Sequence, residues 1–403
     1  MKRTIPCKDC GSEGVNHRLE FALNAANWLI DPITKPLDNI TNRALRRLGS
    51  NGLLDRCAIS FINQLHVFGV VSSAREPDEG DALAVHMLWN EAKKRDIKMT
   101  EFRFRNGKRN VFIAEYAGEC ICFEGLPRPR GSASDALAWM DNKGILKKKL
   151  ARAGFPVARG KAAFSEQGAL RTFRRIEKPV ITKPHVGSGS RHTTIHLNDE
   201  PAFLAAFRTA KQVSPFIVVE EELKGSVFRA TVIDGKVVGV IRRDPPQIAG
   251  TGRSSIRNLV ARANSDPKRK GPIFHPIATG IEADQELNRQ ELSWDSIPKK
   301  GQVVTLNQKI NWSSGGTTED VTENTHLANI NLFERIGAFL KDPLIGIDFI
   351  IEEIDKPWNE EPKCGVIEIN SAPFIDNHHL PFTGKPRNVA GALWDIVFPG
   401  SRR

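Results

Sequence analysis

Two short stretches of the chain carry oxygen-donor side chains at a spacing that could hold a metal ion. Gly365-Val366-Ile367-Glu368-Ile369-Asn370 has the apolar content of a buried strand. Side chains alternate faces along a strand, so Glu368 and Asn370 share one face while Ile367 and Ile369 take the other. Upstream, Ile347-Asp348-Phe349-Ile350-Ile351-Glu352 is a second apolar run with Asp348 near its start. The segment 353–364 between them is polar and holds Pro357 and Pro362, the marks of a loop. Antiparallel pairing of the two runs would bring Asp348 to Glu368 and Asn370. Two carboxylates and an amide oxygen suit Mg²⁺, which keeps coordination sites for water and substrate phosphates. A strand pair turning polar residues to solvent accounts for the same pattern, and spacing alone does not separate the two.

A second chemistry-bearing stretch is Lys178-Pro179-Val180-Ile181-Thr182-Lys183, a short strand running into a loop with Gly187, Ser188 and Gly189. Glycines permit close backbone approach, amide groups point at oxygens and a lysine supplies charge, which suits phosphate. The lysine precedes the glycines, so this is not a Walker A loop, and a surface hairpin would look similar. Lys143 and Lys147 are four residues apart and share a helical face; a solvated basic face has the same spacing. Arg242 and Arg243 end a predicted hairpin, and Ser313-Ser314-Gly315-Gly316 forms a second glycine-rich turn. No Ser/His/Asp set offers a covalent nucleophile. Cys7 and Cys10 form a C-x-x-C with no second pair at matching spacing, so the cysteines read as reduced thiols, with an N-terminal zinc knuckle as the lesser alternative.

The elements that must position these residues are legible in outline. With 403 residues the chain can build roughly two to four domains. Its 40% hydrophobic and 26% charged shares are those of a globular protein. No apolar run approaches the roughly 20 residues that span a bilayer, and the N-terminus lacks a signal-peptide core, so a cytoplasmic protein without membrane partners is expected. The net charge of +11 is spread along the chain. It attracts ATP or an acidic substrate as readily as a nucleic acid, and no basic-plus-aromatic RNA-binding pattern accompanies it, so nucleic acid is not the expected partner.

Residues 1–78 carry no assignable chemistry; within them, 58–71 is apolar and reads as strand or buried helix. A helix is predicted over 81–95, with strands over 99–104, 110–115 and 119–124, a small α/β unit. Helices follow over 132–140 and 144–153, the second stopped by Gly154 and Pro156. A helix over 199–213 and a strand over 216–222 lead to a hairpin, 227–233 with 236–242, turned by Asp234-Gly235. A short helix covers 256–263. Segment 268–290 reads as polar and mobile. Helices over 327–340 and 388–397 complete the chain.

Taken in order, the segments resemble an ATP-grasp ligase, above all the ATP-grasp part of cyanophycin synthetases and of fused glutamate–cysteine ligase/glutathione synthetases. The matching segments are Asn142-Lys143 through Gly154, Thr182-Lys183-Pro184, Val219-Glu220 with Gly225 and Arg229, and Gly250-Thr251-Gly252. They continue with Ser314-Gly315-Gly316-Thr317, Gly346-Ile347-Asp348, Glu368-Ile369-Asn370 and Pro386-Arg387-Asn388. The resemblance implies an α/β ATP-grasp fold of α+β lobes. The expected divisions are an N-terminal region over 1–78, a preceding α/β domain over 79–138, and lobes over 139–215 and 216–400. It implies that Lys147 and Lys183, with the Gly187-Ser188-Gly189 loop, hold ATP phosphates. Glu220, Glu221 and Leu223 would form the hinge at adenine. Asp348, Glu368 and Asn370 would carry Mg²⁺, two ions by family pattern, with Mn²⁺ as an acceptable substitute. Arg243 and Ser314-Gly315-Gly316 would face the transferred phosphate and the substrate carboxylate. The implied activity joins a carboxylate and an amine through an acyl phosphate, on an amino acid or short peptide. Self-association is compatible with it.

Departures from the family pattern are visible. Val227 stands where an acid reaches ribose, and Asn307 where an arginine is usual. After Asn370 the family reads Ala-x-Pro-Gly-Leu-Arg-Met-His. Here the residues are Ser371-Ala372-Pro373-Phe374-Ile375-Asp376-Asn377-His378. An acid in place of an arginine implies a different substrate. The chain ends at Arg403 with no Mur-ligase-like half, so full cyanophycin synthetase activity is not expected. The alternatives are a non-catalytic nucleotide-binding module, which would be free to lose the metal-site residues, and a basic nucleic-acid binder.

Overall fold

The computed structural model describes residues 16–26, 52–104, 110–132, 134–140, 142–185, 192–310 and 312–402. Cys7, Cys10 and the Gly187-Ser188-Gly189 loop lie outside them.

The first layer is an antiparallel sheet of β1 (Val71–Ala74), β2 (Lys98–Phe104), β3 (Asn110–Tyr116) and β4 (Glu119–Phe123), in that order. Period-two alternation divides β3: Phe112 and Ala114 face one side, Ile113 the other. Ile113 packs with Ile62 of helix α1 (Leu53–Val67). Phe112 packs with Leu88 and Trp89 of helix α2 (Leu83–Lys94) and with Trp394 near the C-terminus. The Trp394 indole nitrogen donates to the Leu88 carbonyl at 3.0 Å, so the end of the chain closes over this layer. The apolar run at 58–71 is thus mostly helix, and the small unit takes its first strand from residues before 79. The helix expected over 132–140 is only a 3-10 turn, Asp135–Ala138.

Helix α3 (Lys143–Arg152) starts at Asn142, whose side chain accepts from the Ile145 amide at 3.1 Å. A second antiparallel sheet, in the order β5-β8-β6-β7, joins Gly160–Ala163, Ile217–Glu221, Val180–Pro184 and Thr194–Leu197. Helices α4 (Glu166–Arg175) and α5 (Glu200–Lys211) cover it through Phe173, Phe203 and Phe207. The division expected after residue 215 therefore falls before the strand that completes this sheet. β8 pairs with β5 and β6, and the chain passes to the next sheet only beyond Glu221. Pro215 punctuates a turn inside the layer.

The third sheet has the order β13-β10-β9-β14-β15. Its hairpin, β9 (Ser226–Ile233) and β10 (Lys236–Asp244), turns at Asp234 and Gly235, both with positive φ as a tight twisted turn needs. β13 is Thr317–Asp320, β14 Leu344–Ile351 and β15 Gly365–Asn370. One face is apolar: Phe228, Ala230, Ile347 and Phe349 pack under Leu146 and Leu150 of α3. Helix α8 (Leu327–Leu340) adds Phe333 and Ile336 to the same core. Arg229, Thr231 and Asp348 alternate with those apolar residues along β9 and β14, and so belong to the other face.

Segment 245–316 builds its own small core. β11 (Gln247–Ala249) and β12 (Val303–Thr305) pair, and α6 (Ile256–Asn264) and α7 (Ile281–Arg289) pack on them. The polar stretch expected to be irregular over 268–290 contains α7. Ala283 and Leu287, one turn apart, supply an apolar stripe too narrow to dominate the composition.

Candidate nucleotide and metal site

A cavity of about 1140 Å³ lies between α3 on one side and β5, β6 and β8 on the other, with Val366 and Ile367 at its edge. Lys147 enters from α3 and Lys183 from β6. Both reach Glu220 of β8, which is 2% exposed. Lys147 Nζ lies 2.5 Å from Glu220 Oε2, and Lys183 Nζ pairs with Oε1. Burial pulls the Lys147 ammonium below the ordinary lysine range, against the pull of Glu220. Burial acts to raise Glu220, yet Lys183 and Lys147 outweigh it and hold the carboxyl below the usual range.

The residues expected at the hinge divide. Glu221 accepts from the Arg159 backbone at 2.7 Å and from its guanidinium at 3.0 Å. Leu223 lies against Gly365 of β15, where an added Cβ would sit 3.3 Å from Leu223 Cδ1. Gly225 has φ 111°, and a Cβ there would fall 2.0 Å from the Ile351 carbonyl oxygen. Only glycine permits that approach. The crossing from β8 to β9 is thereby pinned against β14 and β15. Glu220 turns its carboxylate to the two lysines.

The acidic pair forms as the strand pattern requires: Asp348 lies opposite Glu368, and Gly346 opposite Asn370. The register shifts between Asp348 and Phe349, leaving Ile367 as an extra residue with no partner. Ile367 therefore lines the cleft and not the core, contrary to simple alternation. Asp348 is 4% exposed and takes two arginines. Arg229 donates two hydrogen bonds to it, the one from Nη2 at 2.9 Å, and Arg243 Nη1 donates at 3.2 Å. Burial acts to raise the Asp348 carboxyl, but Arg229 and Arg243 overcome it and set it below the usual range. Glu368 is more open, with Lys143 Nζ 3.7 Å away.

The buried amide nitrogen of Asn370 has no hydrogen-bond partner. The two ends of an amide are assigned by their surroundings, so this side chain is free to present oxygen to a cation. Among the described residues no three His, Cys, Asp or Glu side chains converge as a metal cluster. The set here is two carboxylates and an amide, oxygen donors of the kind that suit Mg²⁺.

Arg243 joins this set to the glycine-rich turn. Its guanidinium lies 5.6 Å from the Trp312 ring, and β10 pairs with β13 so that Arg243 faces Thr318. The turn 312–316 precedes β13. The Ser314 carbonyl accepts from the Ala278 amide at 3.1 Å, and the Gly315 carbonyl accepts from Arg269 at 2.8 Å. Gly315 has φ 101° and a Cβ there would strike Ile277 at 2.5 Å. Gly316 leads into β13. Phe374 packs edge-on to Trp312, their centroids 5.9 Å apart, which brings the atypical 371–378 segment to the same edge. There His378 is wholly buried, bonded to Thr231 at 2.7 Å and pushed down to about 3 by burial. Asn307 bonds Glu282 at 2.6 Å.

Sequence reasoning gave Arg229 and Trp312 no role at the site. An arginine between Phe228 and Ala230 in an apolar strand was the available signal, because a buried cation needs a carboxylate.

The arrangement of sheets and cleft is the ATP-grasp fold. A bifunctional glutathione synthetase from Pasteurella multocida superposes with a TM-score of 0.58 over 79% of this chain and 44% of its own, at 24% identity. A cyanophycin synthetase of Trichormus variabilis is 35% identical over 266 residues, 65% of this chain and 29% of that protein. A bifunctional glutathione biosynthesis protein of Clostridium perfringens is 27% identical over 93% of this chain and 48% of its own length. The chain thus spans less than half the length of these relatives. No protein-family model matches it. Among the described residues, no helix is long and apolar enough to cross a membrane.

Proposed function

We propose that this chain is an ATP-dependent carboxylate–amine ligase acting on an amino acid or short peptide in the cytoplasm, with ADP and phosphate as products. The observation that carries this reading is the pairing of two charge sets in one molecule: Lys147 and Lys183 in the cleft, and Asp348 opposite Glu368 at its edge. Similarity to a cyanophycin synthetase and to a bifunctional glutathione biosynthesis protein supports it.

Lys147 and Lys183 hold the ATP phosphates. Asp348, Glu368 and Asn370 would hold Mg²⁺, one ion or two. When bound, the metal neutralises charge on the terminal phosphates during phosphoryl transfer. Arg243 and the 314–316 turn orient the substrate carboxylate, whose oxygen attacks the γ-phosphorus as ADP leaves. The amine then attacks the acyl carbon and phosphate departs. The protein works by placing reactants and stabilising charge, with no covalent nucleophile.

Phosphate release from Mg-ATP, measured against a panel of amino acids and short peptides, tests this directly. At least one acid–amine pair is expected to raise release well above the ATP-only rate. A flat panel that includes acidic, basic and dipeptide substrates would contradict the assignment.

A further inference from the structure

Glu220 sits where two layers meet. Lys147 comes from α3, which packs on the third sheet, and Lys183 from β6 in the second. Each takes one oxygen of the same buried carboxylate. Without it, two ammonium groups would converge in a partly dry cleft and repel each other.

The same cleft is also lined by Lys143, Lys148, Lys149, Arg152, Arg159 and Lys161. Glu221, next on β8, acts on Lys147 from a distance and is held by Arg159 and, at 3.9 Å, by Lys363. Lys183 acts on Lys147 in the opposite sense. His185, just beyond β6, lies against Gly144 at the start of α3.

We propose that Glu220 is a positioning residue that keeps the Lys147 ammonium charged and aims it and the Lys183 ammonium at one point, so that the cleft is set for a triphosphate before nucleotide arrives. The proposal rests on the nucleotide-cleft reading above. It carries a signature. The carboxylate also repels phosphate, so removing it has opposite effects at the two ends of the pH scale. With both lysines protonated, Glu220→Gln leaves a more positive cleft. At high pH it lets Lys147 lose its proton, and affinity falls.

The test is calorimetric titration of Mg-ATP into the full chain between about pH 6.5 and 10, in buffers of different ionisation enthalpy. In Glu220→Gln the alkaline fall-off in affinity is expected to move down by about one to three pH units, the scale of an opposite charge within 4–6 Å. At pH values between the two fall-offs, ATP binding by the variant takes up about one more proton than binding by the original chain. Equal pH profiles and equal proton uptake would overturn the proposal.

Glu220→Asp serves if the glutamine variant does not fold. It keeps the charge but withdraws the oxygens by one methylene. The pH fall-off should then stay in place while affinity weakens across the whole range; unchanged affinity would overturn the aiming role. Lys183→Ala separates the two levels of the argument. If the original chain binds Mg-ATP no better than Lys183→Ala, the cleft reading itself fails. If binding is lost only in Lys183→Ala and Glu220→Gln behaves as the original, the positioning role alone fails.

Discussion

Asp348 accepts from Arg229 and Arg243 in surroundings with almost no water. Its native carboxyl is held below the usual range, although burial works the other way. The sign follows from linkage. A carboxyl depressed in the native state contributes stability above its unfolded pKa of about 3.9 and loses it as pH falls through the native value. Asp348→Asn should therefore lower unfolding stability at pH 7 by about 3–5 kcal/mol, the range for breaking a buried pair. The gap to the original chain should close as the pH drops below about 4. Denaturant titrations at pH 7 and pH 3 check this; a constant gap would show that the arginines do not set the carboxyl. Glu368 is half-open and lightly paired, so Glu368→Gln should leave stability within about 0.5 kcal/mol. Turnover should fall by at least about a hundredfold, the scale for losing one electrostatic stabiliser. Full turnover would remove Glu368 from the metal site.

Elements place these residues, and Gly225 shows how tightly. The chain crosses there from the second sheet to the third, against the Ile351 carbonyl and with positive φ. Gly225→Ala should cost about 1–3 kcal/mol from backbone strain alone, and more if the crossing shifts, with weaker ATP binding because Leu223 moves from Gly365. A thermal melt with a parallel ATP titration reads both; an unchanged melt and affinity would show that the crossing is not pinned. The strands carrying Asp348 and Glu368 were legible because alternation and apolar content are local signals. Leu327–Leu340 and the Asp234-Gly235 hairpin were legible for the same reason. The bulge that moves Ile367 into the cleft was not, since it depends on the partner strand's register. Nor was α7, whose buried stripe of Ala283 and Leu287 is masked by polar neighbours.

At the scale of the molecule, the cleft is built from parts far apart in sequence. Lys147, Lys183 and Glu220 meet although no local pattern links them. The order of short motifs could suggest a nucleotide site, but the fate of the Glu220 side chain depends on that long-range meeting. The strand that follows the division expected at 215 has the same character: β8 reads as a new strand after Pro215, and its partners are β5 and β6. The net charge of +11 pointed to no single partner, and the structure concentrates cations in the cleft against buried acids. The central claim is that a carboxylate is activated as an acyl phosphate. Hydroxylamine tests it most directly, because a small strong nucleophile can replace the unknown amine. The protein would be incubated with Mg-ATP, hydroxylamine and a panel of acidic amino acids and short peptides. ADP and a hydroxamate should appear together for at least one acid, and only with Mg²⁺ present; AMP and pyrophosphate appearing with the hydroxamate would contradict the account.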